Sequence, residues 1–210
     1  MNKKSGQNSL GLDACFEDEQ NPIVLFKKWF AVAEKSEIND PNALSLATST
    51  SEGMPSVRMV LLKGLSEKGF VFYTNFNSKK GGELKENQKA SMCFHWKSLR
   101  RQVRAIGKVE EVSKKEADDY FSSRPYKNKI GAWASLQSEV LDQRETFLKK
   151  IKEFEKKFPN QNQVPRPPHW SGWRLLPDEI EFWLDGEGRI HERLNYKKKS
   201  DKWEKELLYP

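Results

Sequence analysis

The sequence predicts a mainly β protein, an antiparallel barrel or sandwich with peripheral helices, on three observations. From Ala43 onward apolar and polar residues alternate in short runs at the period of strands, separated by tight turns such as Ser51-Glu52-Gly53 and Glu67-Lys68-Gly69. Helical stretches between these runs are few. No G-x-G-x-x-G occurs and strands do not alternate with helices, which disfavours a doubly wound nucleotide-binding sheet.

Taken in order, residues 1 to 20 are polar and aperiodic and are expected to form a mobile tail, with one domain over 21 to 210. Asn21-Pro22 reads as a helix start, with Val24, Leu25, Lys28, Trp29 and Val32 as a stripe running to about Glu34. Strands are expected over 43–50, 56–65, 70–75, 90–97, 101–112, 170–176, 179–185, 189–197 and 203–208. A short helix follows Asn77, and a second runs from Ser113 to Arg124. A third, over 142–158, buries Phe147, Ile151, Phe154 and Phe158 and pairs Glu145 with Lys149 and Glu153 with Lys157 on its wet face. Four prolines between 158 and 169 mark an extended loop.

A net charge of +7 and a pI of 9.2 point to acidic partners, either nucleic acid or small phosphorylated molecules. Hydrophobic residues make up 36%, low for a self-contained globule, although 7 Trp and 12 Phe supply core material; the deficit is consistent with an oligomer or bound cofactor completing the core. Cys15 and Cys93 lack C-x-x-C spacing and the 3 histidines are scattered without H-E-x-x-H, so neither a disulfide framework nor a metal site is expected. Basic Met1 to Lys4 leads into polar Ser5 to Asn8, not an apolar segment, and no run approaches membrane-spanning length. The expectation is a cytoplasmic protein, off the membrane.

Four stretches carry candidate chemistry. In an extended strand Arg189, His191 and Arg193 share one face, about 13 Å of it at roughly 3.3 Å per residue. That crowding of cations is relieved by an anionic or electron-rich ligand; taken alone, the pattern also describes a solvated edge strand. In Val57 to Lys63, Val57, Met59, Leu61 and Lys63 alternate with Arg58, Val60 and Leu62, so each face mixes apolar groups with a cation. Ser78 is a fitting N-cap, yet Lys79 and Lys80 occupy the first helical turn, where the macrodipole disfavours cations unless an anion is bound. Ser113 with Glu116 fits a capping box, and its helix sets Tyr120 and Arg124 four residues apart, a pattern that taken alone better describes an exposed polar pair and that beside the other cations offers a second phosphate clamp.

These residues carry a family resemblance. R-M-V-L-L-K (58–63), Y-T-N-x-x-S-K-K (73–80), R-Q-V (101–103), S-R-P (123–125), I-G-A-W-A-S-x-Q-S (130–138), I-E-F-W (180–183) and R-I-H-E-R (189–193) stand in the order seen in pyridoxine/pyridoxamine 5′-phosphate oxidases, which the chain resembles from about Asn21 to Pro210. The resemblance implies a split β-barrel homodimer with FMN at the subunit interface. It implies that Arg58, Met59, Val60, Leu61, Leu62, Lys63, Tyr73, Thr74, Ser78, Lys79, Lys80, Gln102, Gln137, Ser138, Trp183 and Arg193 hold FMN. Lys63, Tyr120, Arg124 and Asn128 would meet the substrate phosphate, with Arg189 and His191 as the catalytic pair at the pyridine ring. Asn128 replaces the family's usual Ser, and residues 10–20 lack the Arg and Tyr that in the family close over the substrate.

The implied reaction oxidises pyridoxamine or pyridoxine 5′-phosphate to pyridoxal 5′-phosphate, with oxygen reduced to hydrogen peroxide. Two alternatives remain at this stage: a split-barrel flavin enzyme acting on a phenazine-type substrate, and a basic nucleic-acid-binding barrel, which would show salt-dependent oligonucleotide binding and no colour.

Overall fold

The computed structural model describes residues 6–210. Its strands are β1 (Ala43–Ser49), β2 (Pro55–Leu61), β3 (Gly64–Ser66), β4 (Gly69–Asn75), β5 (Lys89–Trp96), β6 (Arg101–Glu111), β7 (Trp170–Leu184), β8 (Glu192–Lys199) and β9 (Lys202–Leu207). All form one antiparallel sheet in the order β2-β1-β5-β6-β7-β4-β3, with β8 and β9 added beside β7. The helices are α1 (Pro22–Ser36), α2 (Lys79–Glu86), α3 (Lys114–Ser123), α4 (Tyr126–Ala134) and α5 (Arg144–Lys157).

The split in the barrel lies on β7. The sequence predicts two strands, 170–176 and 179–185; the structure has one, running through Pro177. β6 pairs with β7 along its length, but on the other edge β4 pairs only with 170–175 and β8 only with 179–184. Pro177 has no N–H to donate, so one partner strand leaves and another joins around it. Register with β6 jumps there, from Glu179 opposite Ile106 to Pro177 opposite Gly107, a bulge that bends the sheet. A Cβ at Gly107 would lie 2.0 Å from the Leu176 carbonyl oxygen, so the bulge requires glycine.

Helix α1 starts where the sequence indicates: the Asn21 side chain accepts from the Ile23 N–H and Pro22 occupies the first turn. Its buried face is Ile23, Leu25, Phe26, Trp29 and Ala33, rotated from the expected stripe, and Val32 is exposed. Phe26 fills the barrel, meeting Phe70 and Phe94 edge-on with centroids 4.9 Å away in each case.

The expected tail over 1–20 is instead packed from its first described residues; 1–5 lie outside them. The Asn8 side-chain oxygen accepts from the Leu10 and Leu12 N–H groups, stabilising a turn that buries Leu12 and Phe16. Phe16 packs edge-on against Trp29, whose indole N–H donates to the Cys15 carbonyl. Polar composition concealed this because two apolar anchors and one satisfied Asn suffice to dock the segment.

Helices α3, α4 and α5 form a layer over a second cluster built on Phe121, Ile130, Val164 and Trp170. The α5 stripe Ile151, Phe154 and Phe158 packs there, but only half-buried, and neither expected glutamate–lysine pair closes among the described residues. Lys157 lies over the rings of Trp133, Phe154 and Phe158. Helix α4 was not expected from the sequence: it begins after Pro125 without a side-chain cap, so the usual start signal is missing.

Candidate active site

A cavity of about 940 Å³ opens between β2, β4, α2 and the α3–α4 layer. It is at the upper end of the roughly 300–1,000 Å³ usual for small-ligand sites. Its lining includes Arg58, Met59, Val60, Leu61, Lys63, Tyr73, Thr74, Lys79, Lys80, Tyr120, Arg124, Asn128, Gln137 and Ser138, so the structure brings most of the sequence-expected residues together. Among the described residues no carboxylate lines it, whereas Arg58, Lys63, Lys79, Lys80, Arg124 and Lys127 do, which suits an anionic ligand.

Two clamps have distinct geometry. At α2, the Ser78 hydroxyl accepts from the Gly81 N–H and caps the helix without lining the cavity. Gly81 is required there, since a Cβ would lie 2.3 Å from the Phe76 carbonyl oxygen. Lys80 Nζ is buried and donates to Thr74 Oγ1 (3.1 Å), Ser78 Oγ (3.3 Å) and Gln137 Oε1 (2.8 Å). Burial, with the nearby Arg58 charge, pushes the Lys80 ammonium down to about 8. Ser138 beside Gln137 holds a left-handed φ of 78°, a conformation uncommon outside glycine.

Arg58 is held from behind. Its guanidinium donates to Leu46 O (3.2 Å), Thr48 Oγ1 (2.5 Å), Ser56 Oγ and Glu83 Oε2 (3.3 Å). Burial raises the Glu83 carboxyl, but hydrogen bonds from Ser56 and Thr48 and the Arg58 charge outweigh it and hold the group below the usual carboxylate range.

At the second clamp Tyr120, Tyr73 and Trp170 stack nearly parallel, Tyr73 to Tyr120 at 4.0 Å and Tyr73 to Trp170 at 5.2 Å. The Arg124 guanidinium lies 4.7 Å over the Trp170 ring, and its Nη1 is buried without a hydrogen-bond partner among the described residues. A buried guanidinium nitrogen left unpaired is costly, and an anion in the cavity relieves it. Burial lowers the Arg124 guanidinium and raises the Tyr120 phenol, and it pushes the Tyr73 phenol, also opposed by Glu116, up to about 12. Ser113 Oγ accepts from the Glu116 N–H as expected, but the Glu116 carboxylate binds Arg174 instead of closing the capping box. Trp170 escaped the sequence reading because an aromatic strand start carries no distinguishing signal.

Several expected residues lie elsewhere in the chain. Leu62 is buried in the barrel core. Gln102, Trp183 and Arg193 stand directly opposite one another across β6, β7 and β8 and do not line the cavity. Arg193 is fixed by Nε donating to buried Glu181 (2.8 Å) and Nη1 donating to the Tyr209 carbonyl (2.8 Å), and the Glu181 hydrogen bond raises its guanidinium. The expected shared face of Arg189, His191 and Arg193 is not formed, because β8 starts only at Glu192. Arg189 closes a turn with φ 65° after Gly188 and is exposed. His191 packs at 4.7 Å from the Trp183 ring, and its Nδ1 is 3.1 Å from Asp185 Oδ1. Gly186 permits this loop, since a Cβ there would meet the Ile190 oxygen at 1.9 Å.

A split antiparallel barrel with two cationic groups on one cavity defines a class of protein suited to anionic small molecules. Residues 32–158 match the family described as pyridoxamine 5′-phosphate oxidase, and residues 170–210 match the pyridoxine 5′-phosphate oxidase C-terminal dimerisation region. The chain belongs to the pyridoxamine 5′-phosphate oxidase family. It is 61% identical, over 100% of both chains, to the pyridoxine/pyridoxamine 5′-phosphate oxidase of Pelagibacter ubique. It is 51% identical to that of Allorhizobium ampelinum, covering 93% of this chain and 95% of the relative. Among solved structures, PhzG from Burkholderia lata 383, in complex with tetrahydrophenazine-1-carboxylic acid, superposes with a TM-score of 0.87 at 32% identity, covering 94% of this chain and 96% of that one. No helix among the described residues is long and apolar enough to cross a membrane.

Proposed function

We propose that the protein is an FMN-dependent oxidase that converts pyridoxamine 5′-phosphate, and pyridoxine 5′-phosphate, to pyridoxal 5′-phosphate, with oxygen as the final acceptor and hydrogen peroxide as product. The observation that carries this reading is a cavity lined by two cationic groups, Arg58, Lys79 and Lys80 in one and Arg124 with Tyr120 in the other, with no carboxylate among its described lining residues; we assign the first group to the cofactor phosphate and the second to the substrate phosphate. The donor set fits FMN: Arg58, Lys79, Lys80 and Thr74 line the cavity together with β2 residues Arg58 to Leu61, and Lys80 Nζ reaches Thr74 Oγ1.

FMN, when bound, supplies the acceptor for the hydride removed from the substrate's exocyclic carbon. The chain's own groups bind and orient. Tyr120, Arg124 and Asn128 hold the substrate phosphate, and the remote binding energy fixes the reacting carbon. In a homodimer, the Gln102, Trp183 and Arg193 row of one copy, with Arg189 and His191, completes the cavity of the other, and Arg189 and His191 orient the pyridine ring. This accounts for two groups of family-matched residues that stay apart within one chain.

The retained Tyr120 and Arg124 clamp favours a phosphorylated substrate over a phenazine-type one, and cations gathered inside a cavity favour a small ligand over nucleic acid. The test is the visible spectrum of FMN-reconstituted protein before and after pyridoxamine 5′-phosphate is added without oxygen. Bleaching of the flavin band, reversed by air, supports the reading. An unchanged flavin band rejects the substrate, and failure to take up FMN rejects the cofactor.

A further inference from the structure

Glu83 does not line the cavity, yet it is 4% exposed and faces Arg58. It sits one turn below Lys79 and Lys80 on α2 and reaches across to the β1–β2 hairpin. Thr48 and Ser56, opposite each other in the hairpin, both donate hydroxyl protons to its carboxylate; Ser56 Oγ lies 2.6 and 2.8 Å from its two oxygens. The same two hydroxyls accept from Arg58. Because a guanidinium only donates and a carboxylate only accepts, each hydroxyl has one polarity available, from Arg58 through the hydroxyl to Glu83. With the direct 3.3 Å contact, Arg58 is tied to Glu83 by three parallel routes.

We infer that Glu83 is a positioning residue for the flavin phosphate site, acting through Arg58 by locking its guanidinium at the cavity wall. The inference rests on the proposal that this cavity binds FMN. It opposes the simpler expectation from charge. A carboxylate near an anion site repels the anion, so its neutralisation by itself tightens binding. Positioning requires the reverse: without the carboxylate's charge, Arg58 loses the anionic partner at the end of all three routes, and ordering it again on binding weakens affinity.

The test is Glu83→Gln, which keeps size and removes charge, measured by quenching of flavin fluorescence as flavin-free protein is titrated with FMN and, separately, with riboflavin. The expected result is an FMN dissociation constant raised roughly tenfold, the scale of one charge-assisted hydrogen bond, with riboflavin affinity changed by less than about twofold. In an Arg58→Ala background the same substitution shifts FMN affinity by less than about twofold, because the residue it acts through is gone. FMN bound as tightly or more tightly by Glu83→Gln overturns the inference. So does an equal loss for riboflavin, or an equal loss without Arg58, either of which would mark Glu83 as a general anchor of α2. If Glu83→Gln does not fold, Ser56→Ala removes one hydroxyl route while keeping the charge, and is held to the same comparisons with an expected loss of about threefold. Wild-type protein that takes up no FMN overturns the functional reading itself, an outcome distinct from all of these.

Discussion

Lys80 Nζ lies 2.8 Å from Gln137 Oε1, joining the first turn of α2 to the segment after α4 across the cavity wall. The bond holds a buried ammonium whose proton is loosened to about 8. Between about 8 and the ordinary 10.5, the unfolded chain keeps a proton here that the folded, flavin-free chain has released. Unfolding free energy from this group therefore rises with pH across that window. The stability of Lys80→Met relative to wild type should fall as pH rises from about 8 to about 10, as read from urea unfolding of the flavin-free proteins. Affinity for FMN should run the other way and weaken above about pH 8, since a bound phosphate needs the charged lysine.

Arg124 carries the buried, unpaired Nη1 at the second clamp. Arg124→Ala should raise the KM for pyridoxamine 5′-phosphate by about 10- to 100-fold, the scale of one or two charge-assisted hydrogen bonds. The FMN dissociation constant should be unchanged. Steady-state kinetics with a parallel flavin titration separates the two; loss of flavin instead would place Arg124 in the wrong clamp.

Gly172 stands opposite Tyr73 in the β4–β7 pairing, and a Cβ there would come within 2.8 Å of the Tyr73 ring. Gly172→Ala should destabilise the fold by about 1–3 kcal/mol through overpacking. It should also raise the KM by displacing the Tyr73–Tyr120–Trp170 stack. Chemical denaturation and kinetics check the two effects, and a variant as stable as wild type would show that the stack yields freely.

Val57, Met59 and Leu61 lie on edge strand β2 at the open side of the cavity, with exposures of 68, 62 and 37%. An exposed apolar edge beside a cavity is a natural subunit contact. Met59→Glu should shift the protein towards monomer in sedimentation and weaken flavin uptake with it. A dimer that persists with full flavin content would move the interface elsewhere.

Much of the site was legible because its chemistry is local. Lys79 and Lys80 behind an N-cap serine stand out through helix geometry, whereas Tyr120 four residues before Arg124 reads by itself as an exposed polar pair and gains weight only beside the other cations; both pairs line the cavity. The alternation in β2 correctly separates Arg58 and Val60 from Val57, Met59 and Leu61. The same rule misread Arg189 to Arg193, because Gly186 and Gly188 turn the chain before β8 begins and the strand period does not apply there. Glu83 and Trp170 were invisible as site residues, since one acts from behind another side chain and the other resembles any core aromatic.

The sequence by itself determined the antiparallel class, most strand positions, the capped helices and the family, since each depends on residues close in the chain or on motif order. Tertiary structure decided that β7 is one strand split by its partners at Pro177, and that residues 6–20 are docked. It also divided the family-matched residues into a cavity set and a β6–β7–β8 row. Those outcomes depend on which distant strands pair and which polar groups find buried partners, and no local period records either.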